Sequence, residues 1–589
     1  MRPWKLNVAR SLSALAFLAL VAGPPAVAAE KPQIAVQEHT LSNGMRWLLV
    51  EQHDSPTIAA GWTARVGSAN ERPGITGLSH FFEHMMFKGT KTIGTKNIDE
   101  DLRLIEEQEK VRDALRAEME VMREKLRRGE IDDLEKPESW TERYRELDKQ
   151  FDALVQKQRE TIIKDQMDQI YTKNGGEFLN AFTSQDQTAY FLRIPRNRLE
   201  LWAWLESDRL KDPVFREFYS ERDVVFEERR LRTESTPLGK YDEAFEAMFW
   251  EASPYNWPVV GWASDIPMYT LAQAKQYFAT YYAPNNLTGV LVGDFKTAEV
   301  LPLLERYFGR ISRGTVEPPP VVTLEPKQLG EKRFNAEAET SPTVRTWWKT
   351  VPFLHEDTPA LDLLSDVLSG RTGRLYKGLV QGRQVANESS ASIDRRKYGG
   401  IFMVETTVKD GKEPAAAEAA VYEEIERLQN EEVPAEELQK VKNAFKANSY
   451  RRLSNPFAIF MQLLNYEALG DWRLINTAPE RADAVTAADL QRVAREYLTK
   501  ENRTVATFLR KEGAAPEDPE LAKLPPQGQA MVRQATAQIA AETDKAKLEQ
   551  MVGQMRQMGA QVPPEMKPAF DLILKRAGER LQALSAEKK

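Results

Sequence analysis

Cysteine is absent from all 589 residues, which excludes a disulfide framework, a thiolate metal site and a lipoprotein anchor. Histidine is nearly absent, with five residues, so any imidazole chemistry must draw on a small fixed set. Positive charge is not in excess. The formal net charge is −7 at pH 7, which argues against nucleic acid as the main partner. Long apolar runs are missing beyond residues 1–29. There Arg2, Lys5 and Arg10 precede "SLSALAFLALVAG" and the small-residue stretch "AVAA", the pattern of a secretory signal peptide cleaved after Ala28 or Ala29. The run is shorter than the ~20 residues that span a bilayer, and Pro24 and Pro25 interrupt its end. Cleavage would take the charge from −7 to −10 and leave no integral membrane segment. A cysteine-free chain of this kind is expected in a periplasmic or secreted location.

The remainder is too long for one hydrophobic core, and its pattern runs twice. Strands at "RWLLV" and "TIAAGWTARV" lead to a helix between Thr76 and Gly89, then to paired strands in "GGEFLNAFTSQDQTAYFLRIP" and a helix from "ERDVVFEERRLRTE". After a linker at 312–332, strand "TVRTWWKTV", helix "TPALDLLSDVLSG", strand "IFMVETTVKDG" and helix "AEELQKVKNAFKANSYRRL" follow in the same order. The reading is α+β: two homologous halves, each an antiparallel sheet packed with helices, at 30–311 and 333–512, closing as a clamshell. Residues 98–168 interrupt the first half with heptad-like apolar spacing, split by Gly129 and Pro137. They predict an inserted charged helical hairpin of the coiled-coil type with arms of ~40 Å. Because the flanking pattern is continuous without it, the hairpin is expected to be dispensable for folding and for the metal site that follows, but not for assembly or access. Residues 513–589, rich in Ala, Gln and Met, predict a helical extension.

The chemistry concentrates in "SHFFEHMMFK". On a helix, His80 and His84 share one face and Glu83 stands beside them. Chance predicts only on the order of 0.003 such H-x-x-E-H patterns in a chain of this composition. Two neutral imidazoles suit zinc, but a hydrolytic site needs a third protein ligand and an open position. His39, His53 and His355 have no metal-like spacing, so a carboxylate is required. The acidic helix start "ERDVVFEE" offers Glu221 and Glu228, seven apart on one face, with Glu227 about 100° away as the alternative.

"GLSHFFEHMMFKGT", then "NAFTSQDQTAY", then "ERDVVFEE" together resemble the insulinase (pitrilysin) family of zinc metallopeptidases, the inverted zincins, in the form of bacterial two-half, processing-peptidase-like members. The resemblance spans about 32–510, the hairpin excepted. It implies one zinc per chain on His80, His84 and Glu228, Glu83 as general base, and Glu221 as the carboxylate that steadies a ligand. It implies that Asn180, Ala181, Phe182 and Thr183 form a strand edge on which an extended peptide substrate lies. The first half would then be the zinc-binding peptidase domain and the second its counterpart without metal. Active members share a second-half arginine and tyrosine, seven apart. The matching stretch "LVQGRQVA" has Leu379 and Ala386 instead, with Arg374, Tyr376 and Arg383 nearby but out of register. The expectation is a zinc endopeptidase of unfolded peptides that works as a heterodimer with a homologous chain lacking the zinc motif. The alternative is a non-catalytic assembly subunit of the same fold.

Overall fold

The computed structural model describes residues 33–134 and 136–511 and, beyond them, 520–521, 524, 526–542, 544–558 and 566–586. The signal-peptide reading of residues 1–29 lies outside the described residues. Six strands build the first sheet: β1 Gln37–Thr40, β2 Arg46–Glu51, β3 Thr57–Ala64, β4 Glu177–Thr183, β5 Thr188–Pro195 and β6 Leu287–Gly293, in the order β1-β2-β6-β3-β5-β4. Five build the second: β7 Lys332–Ala338, β8 Thr343–Thr350, β9 Ala386–Arg395, β10 Gly400–Val408 and β11 Arg503–Arg510, in the order β7-β11-β8-β10-β9. The second sheet is the first without β1. Each is antiparallel except for one parallel pair, β2 with β6 and β11 with β7, because the last strand of each half returns beside its first long strand. The two-half α+β architecture read from the repeat is therefore present.

The halves are interlocked. Strand β6 is buried along its whole length, which suits its largely apolar sequence "LTGVLVG". One face meets helices of its own half. The other is covered by helix Pro456–Leu469 of the second half, whose Ile459, Phe460, Leu463 and Leu464 pack on Leu48, Val50, Ala59, Val290 and Val292. The first half returns a helix. Gly239–Phe249 lies on the second sheet, with Phe245 against Phe508 and Trp347. A buried polar bridge adds to this exchange: Asp186 accepts from the Tyr255 hydroxyl at 2.8 Å and from the Lys397 N–H at 2.9 Å. Arg396 reaches Glu246 at 2.7 Å. Beyond the second sheet, helices Pro526–Ala541, Lys545–Met558 and Lys567–Ala586 share a small core of their own, including Val532, Leu548 and Ile573. Among the described residues no helix is long and apolar enough to cross a membrane.

The hairpin consists of helices Ile98–Arg127 and Glu142–Thr161, the longer about 45 Å. Its neck is a short backbone ladder, with Lys96 N–H to Thr161 C=O at 2.8 Å and Ile163 N–H to Gly94 C=O at 3.0 Å. The expectation that it could be removed without consequence for the site is corrected by what lies at its root. Asp101, in its first turn, is fully buried and pairs with the buried Arg216 at 2.8 Å. Arg216 in turn donates to the carbonyls of Lys88, Thr90 and Ile93. Higher up, the Arg112 guanidinium lies between the rings of Phe151 and Tyr219, 4.4 and 4.3 Å from their centroids, and Tyr219 belongs to helix Phe218–Arg229. Heptad spacing marks the arms but says nothing of these contacts, which are made by polar and aromatic residues off the seam.

Removing one partner of a buried ion pair leaves an uncompensated charge and costs about 3–5 kcal/mol. Asp101→Ala is therefore expected to lower the stability of the chain by about that amount, measured by denaturant unfolding. A Gly/Ser loop replacing the hairpin should do at least as much damage, since it also removes Phe151.

Candidate metal centre

The motif helix is Leu78–Met85. Its apolar residues Leu78, Phe81, Phe82 and Met85 are buried in the first-half core, which turns His80, Glu83 and His84 toward the other side. It starts at Gly77, whose φ of +85° is strained for any other residue. A Cβ there would also lie 2.3 Å from the Val260 carbonyl oxygen. The Glu71 carboxylate caps the helix by accepting the N–H of Gly77 and of Ser79, each at 2.6 Å. Burial pushes the Glu71 carboxyl up to about 8, but two short amide donors at a helix N-terminus favour its anion, and we assign the charged form. Phe81 meets Phe218 edge-on at 4.9 Å, fixing the motif helix against Phe218–Arg229, the helix that carries the acidic residues.

That contact brings the three candidate ligands together. The ligand atoms of His80, His84 and Glu228 all lie within 4.8 Å of one another, the only such group among the described residues. Glu228 stands 3.3 Å from His84 Nε2 and 3.7 Å from His80 Nε2. A tetrahedral zinc with bonds of about 2.1 Å separates its ligands by roughly 3.4 Å, so the donor set and its spacing fit this ion. Glu227 points away: its side chain is 62% exposed and pairs with Arg230. Glu221 holds His84 from behind, its Oε1 2.8 Å from Nδ1, and is itself held by Lys88 Nζ at 2.5 Å. A carboxylate on Nδ1 keeps the proton there and leaves Nε2 for the ion.

The charges are strongly coupled. Burial, and then the neighbouring His84, lower His80 to about 4. Burial would lower His84 too, but the Glu221 and Glu228 carboxylates raise it to about 9. Glu221 is opposed by burial yet drawn down to about 2 by His84 and Lys88. Glu83 is not one of the converging ligands. Its carboxyl is raised by burial, against the opposing hydrogen bond from Thr183 Oγ1 at 2.7 Å.

Thr183 ends β4, the edge strand of the first sheet, so Asn180, Ala181, Phe182 and Thr183 run beside Glu83 with one side unpaired by the sheet. In the second half, Leu379 and Ala386 are buried in the core. Arg374 is paired with Glu437 at 2.8 Å and Arg383 with Glu423, so both guanidinium groups are engaged within their own half. Helix Thr358–Leu368, which follows β8 as the motif helix follows β3, places Asp362, Ser365 and Asp366 at the spacing of His80, Glu83 and His84. Sequence reasoning missed Lys88 and Arg216. Only the position of Lys88, one turn beyond His84, signals its role.

Residues 46–127 match the family model described as Insulinase (Peptidase family M16), and residues 269–445 match that described as Peptidase M16 inactive domain. The chain is 26% identical over 481 residues to Zinc protease PqqE of Helicobacter pylori, covering 80% of this chain and 92% of the relative. It is 21% identical over 476 residues to Uncharacterized zinc protease YmxG of Bacillus subtilis, covering 79% and 96%. Among solved structures, a protease from Helicobacter pylori superposes with a TM-score of 0.66 at 23% identity, over 81% of this chain and 100% of that one. The first half of the periplasmic protease PqqL from Escherichia coli superposes at 0.60 and 16% identity, over 82% and 94%. The fold is thus that of the insulinase/pitrilysin class. Residues 46–127 and 269–445 are the segments similar to the insulinase (M16) family models.

A His84 pKa of about 9 means that at neutral pH the metal-free centre carries a proton that a divalent ion must displace. Zinc uptake is therefore expected to release about one proton per ion near pH 7 and to weaken as pH falls, measurable by calorimetry in buffers of different ionisation enthalpy. Without metal the same raised pKa stabilises the fold below about pH 6.5, and that contribution is lost as pH rises through about 9.

Proposed function

We propose that the chain is a zinc endopeptidase that cleaves unfolded peptides, with one zinc held by His80, His84 and Glu228. The observation that carries this reading is the convergence of those three side chains beside a buried carboxylate, Glu83, at an open strand edge. When bound there, zinc would polarise the scissile carbonyl and lower the pKa of water to about 7.

The rest of the chemistry falls to the chain itself. An extended peptide pairs with the open edge of β4, which grips backbone rather than sequence. Glu83, whose carboxyl is raised by burial, takes the proton of the attacking water and returns it to the leaving amine. Thr183 orients Glu83 through its 2.7 Å hydrogen bond. Glu221 and Lys88 hold His84 in register. The burial of Leu379 and Ala386 supports the further reading that a homologous second chain, lacking the zinc motif, supplies an arginine and a tyrosine to the developing oxyanion. The pattern of residues 1–29 supports export to the periplasm.

Glu83→Gln is expected to retain zinc and lose peptide hydrolysis by about 10²–10⁴-fold. Metal content together with turnover of an unstructured peptide tests this, and a fully active variant would remove Glu83 from the mechanism. The zinc-loaded chain alone is expected to be slow by about 10²–10³-fold for want of an oxyanion donor. Addition of the homologous chain should restore the rate, and an isolated chain that is already fast would refute the partner reading.

A further inference from the structure

Resting on the peptidase reading, we infer that Phe178 is a specificity residue of the β4 edge. Its ring, turned out on a strained bulge, receives an aromatic side chain of the substrate about five residues from the cleaved bond.

The bulge is visible in the pairing of β4 with β5. Glu177 lies opposite Arg193 and Asn180 opposite Phe191, so β4 uses one more residue than its neighbour over the same step. The extra length is taken up at Phe178, whose φ is +55°. That left-handed conformation is strained for an aromatic residue, whereas glycine or asparagine adopts it readily. Packing of the ring does not offset the strain, since Phe178 remains 65% exposed. A strained bulge beside a candidate site points to a residue kept for what it meets rather than for stability.

The ring is nonetheless held still. The Arg193 guanidinium lies over it, 4.9 Å from its centroid, and is itself paired with Glu177. Phe457, at the start of the second-half helix that covers the first sheet, lies 6.1 Å away and continues the aromatic surface to Phe191 at 5.8 Å. An incoming side chain therefore meets a platform that is already ordered. Its place along the edge follows from strand geometry. Thr183, which bonds Glu83, is further along β4 by a distance of about 16 Å at about 3.3 Å per residue. Between the two residues the edge offers backbone, which pairs with any extended peptide. At the bulge that ladder is broken, and recognition passes from backbone to side chain. An aromatic residue is favoured there because contact between rings adds to burial. Because the ring continues the edge beside Glu83, its occupant is the peptide rather than a neighbouring chain.

The test measures binding to the zinc-loaded Glu83→Gln chain by fluorescence anisotropy, with dye-labelled unstructured peptides in which one Phe is moved along an otherwise constant sequence. The bond cleaved by the wild-type chain is mapped by mass spectrometry. Phe at one position, about five residues from that bond, is expected to tighten binding about three- to tenfold over the parent peptide with Ala there. The same position should raise kcat/KM of the wild-type chain by the same factor. Phe178→Asn suits the left-handed backbone but removes the ring, so it should abolish the gain and leave binding of the parent peptide unchanged. Phe178→Tyr should keep the gain. Phe178→Asn should also retain zinc and match or exceed the wild-type Tm, whereas a lower Tm would show that the ring serves the fold and overturn the inference. A gain that depends on Phe178, with no cleavage by the wild-type chain, would overturn the peptidase reading and leave the Phe178 site standing. No gain at any position, or a gain that survives Phe178→Asn, would overturn the inference. So would a Phe178→Asn chain that binds the peptides as before but sediments differently, since the ring would then belong to a contact between chains.

Discussion

The candidate site depends on one buried guanidinium. Arg216 makes four N–H contacts to two segments: the carbonyls of Lys88, Thr90 and Ile93 after the motif helix, and the Asp101 carboxylate at the root of the hairpin. Its own position is two residues before Phe218, where the acidic helix begins. The two helices that carry the candidate ligands are thus anchored to one planar, multiply donating group. Room for it is made by Gly89 and Gly94, where a Cβ would stand 2.9 and 2.8 Å from its terminal nitrogen. The stretch "FKGTKTIGTK" is therefore the mould of a guanidinium as much as a loop.

At a larger scale the same economy appears in the exchange of helices between halves. A central sheet needs both faces covered, and each half covers only one of its own. Helix Pro456–Leu469 completes the first sheet, and Gly239–Phe249 contributes to covering the second. Relative movement of the halves would expose Phe460, Leu463 and Leu464, and would break the Asp186 contacts to Tyr255 and Lys397. Under the proposed function, the β4 edge is completed by a second chain rather than by this unit folding over on itself, a reading supported by the commitment of Arg374 and Arg383 to partners in their own half.

What was legible in the sequence was what periodicity and spacing encode. The repeat, the motif helix and the hairpin arms all follow from apolar residues at regular intervals, and Glu228 rather than Glu227 follows from helical geometry once a second acidic residue, Glu221, shares its face. What was illegible was set by distance in the chain. The Asp101–Arg216 pair joins residues 115 positions apart, and the Thr183 hydroxyl reaches Glu83 across 100. The covering of β6 by residues near 460 was likewise invisible, although a largely apolar strand already requires a second layer from somewhere. The contacts at the root of the hairpin were invisible for the same reason: a local pattern identifies a segment that can pair with itself, and gives no account of what its base is bonded to.

The second half shows why one fold carries a metal set only once. Asp362 and Asp366 stand on their helix where His80 and His84 stand on theirs. The final residue of β9, Arg395, reaches Asp362, at the position of His80, at 2.6 Å, whereas the final residue of β4, Thr183, reaches Glu83. Where the first half gathers soft nitrogen donors and a carboxylate around space for a divalent ion, the second supplies a permanent cation from its own strand. Arg395 cannot be deprotonated under ordinary conditions, so it offsets the buried charge of Asp362 without help from an ion. Asp366, with no histidine beside it, is instead pushed up to about 6 by burial and by Asp362. The exchange of two imidazoles for two carboxylates and of a hydroxyl for a guanidinium keeps the architecture but not the candidate ligand set, which among the described residues stands in the half that Arg216 and the root of the hairpin hold together.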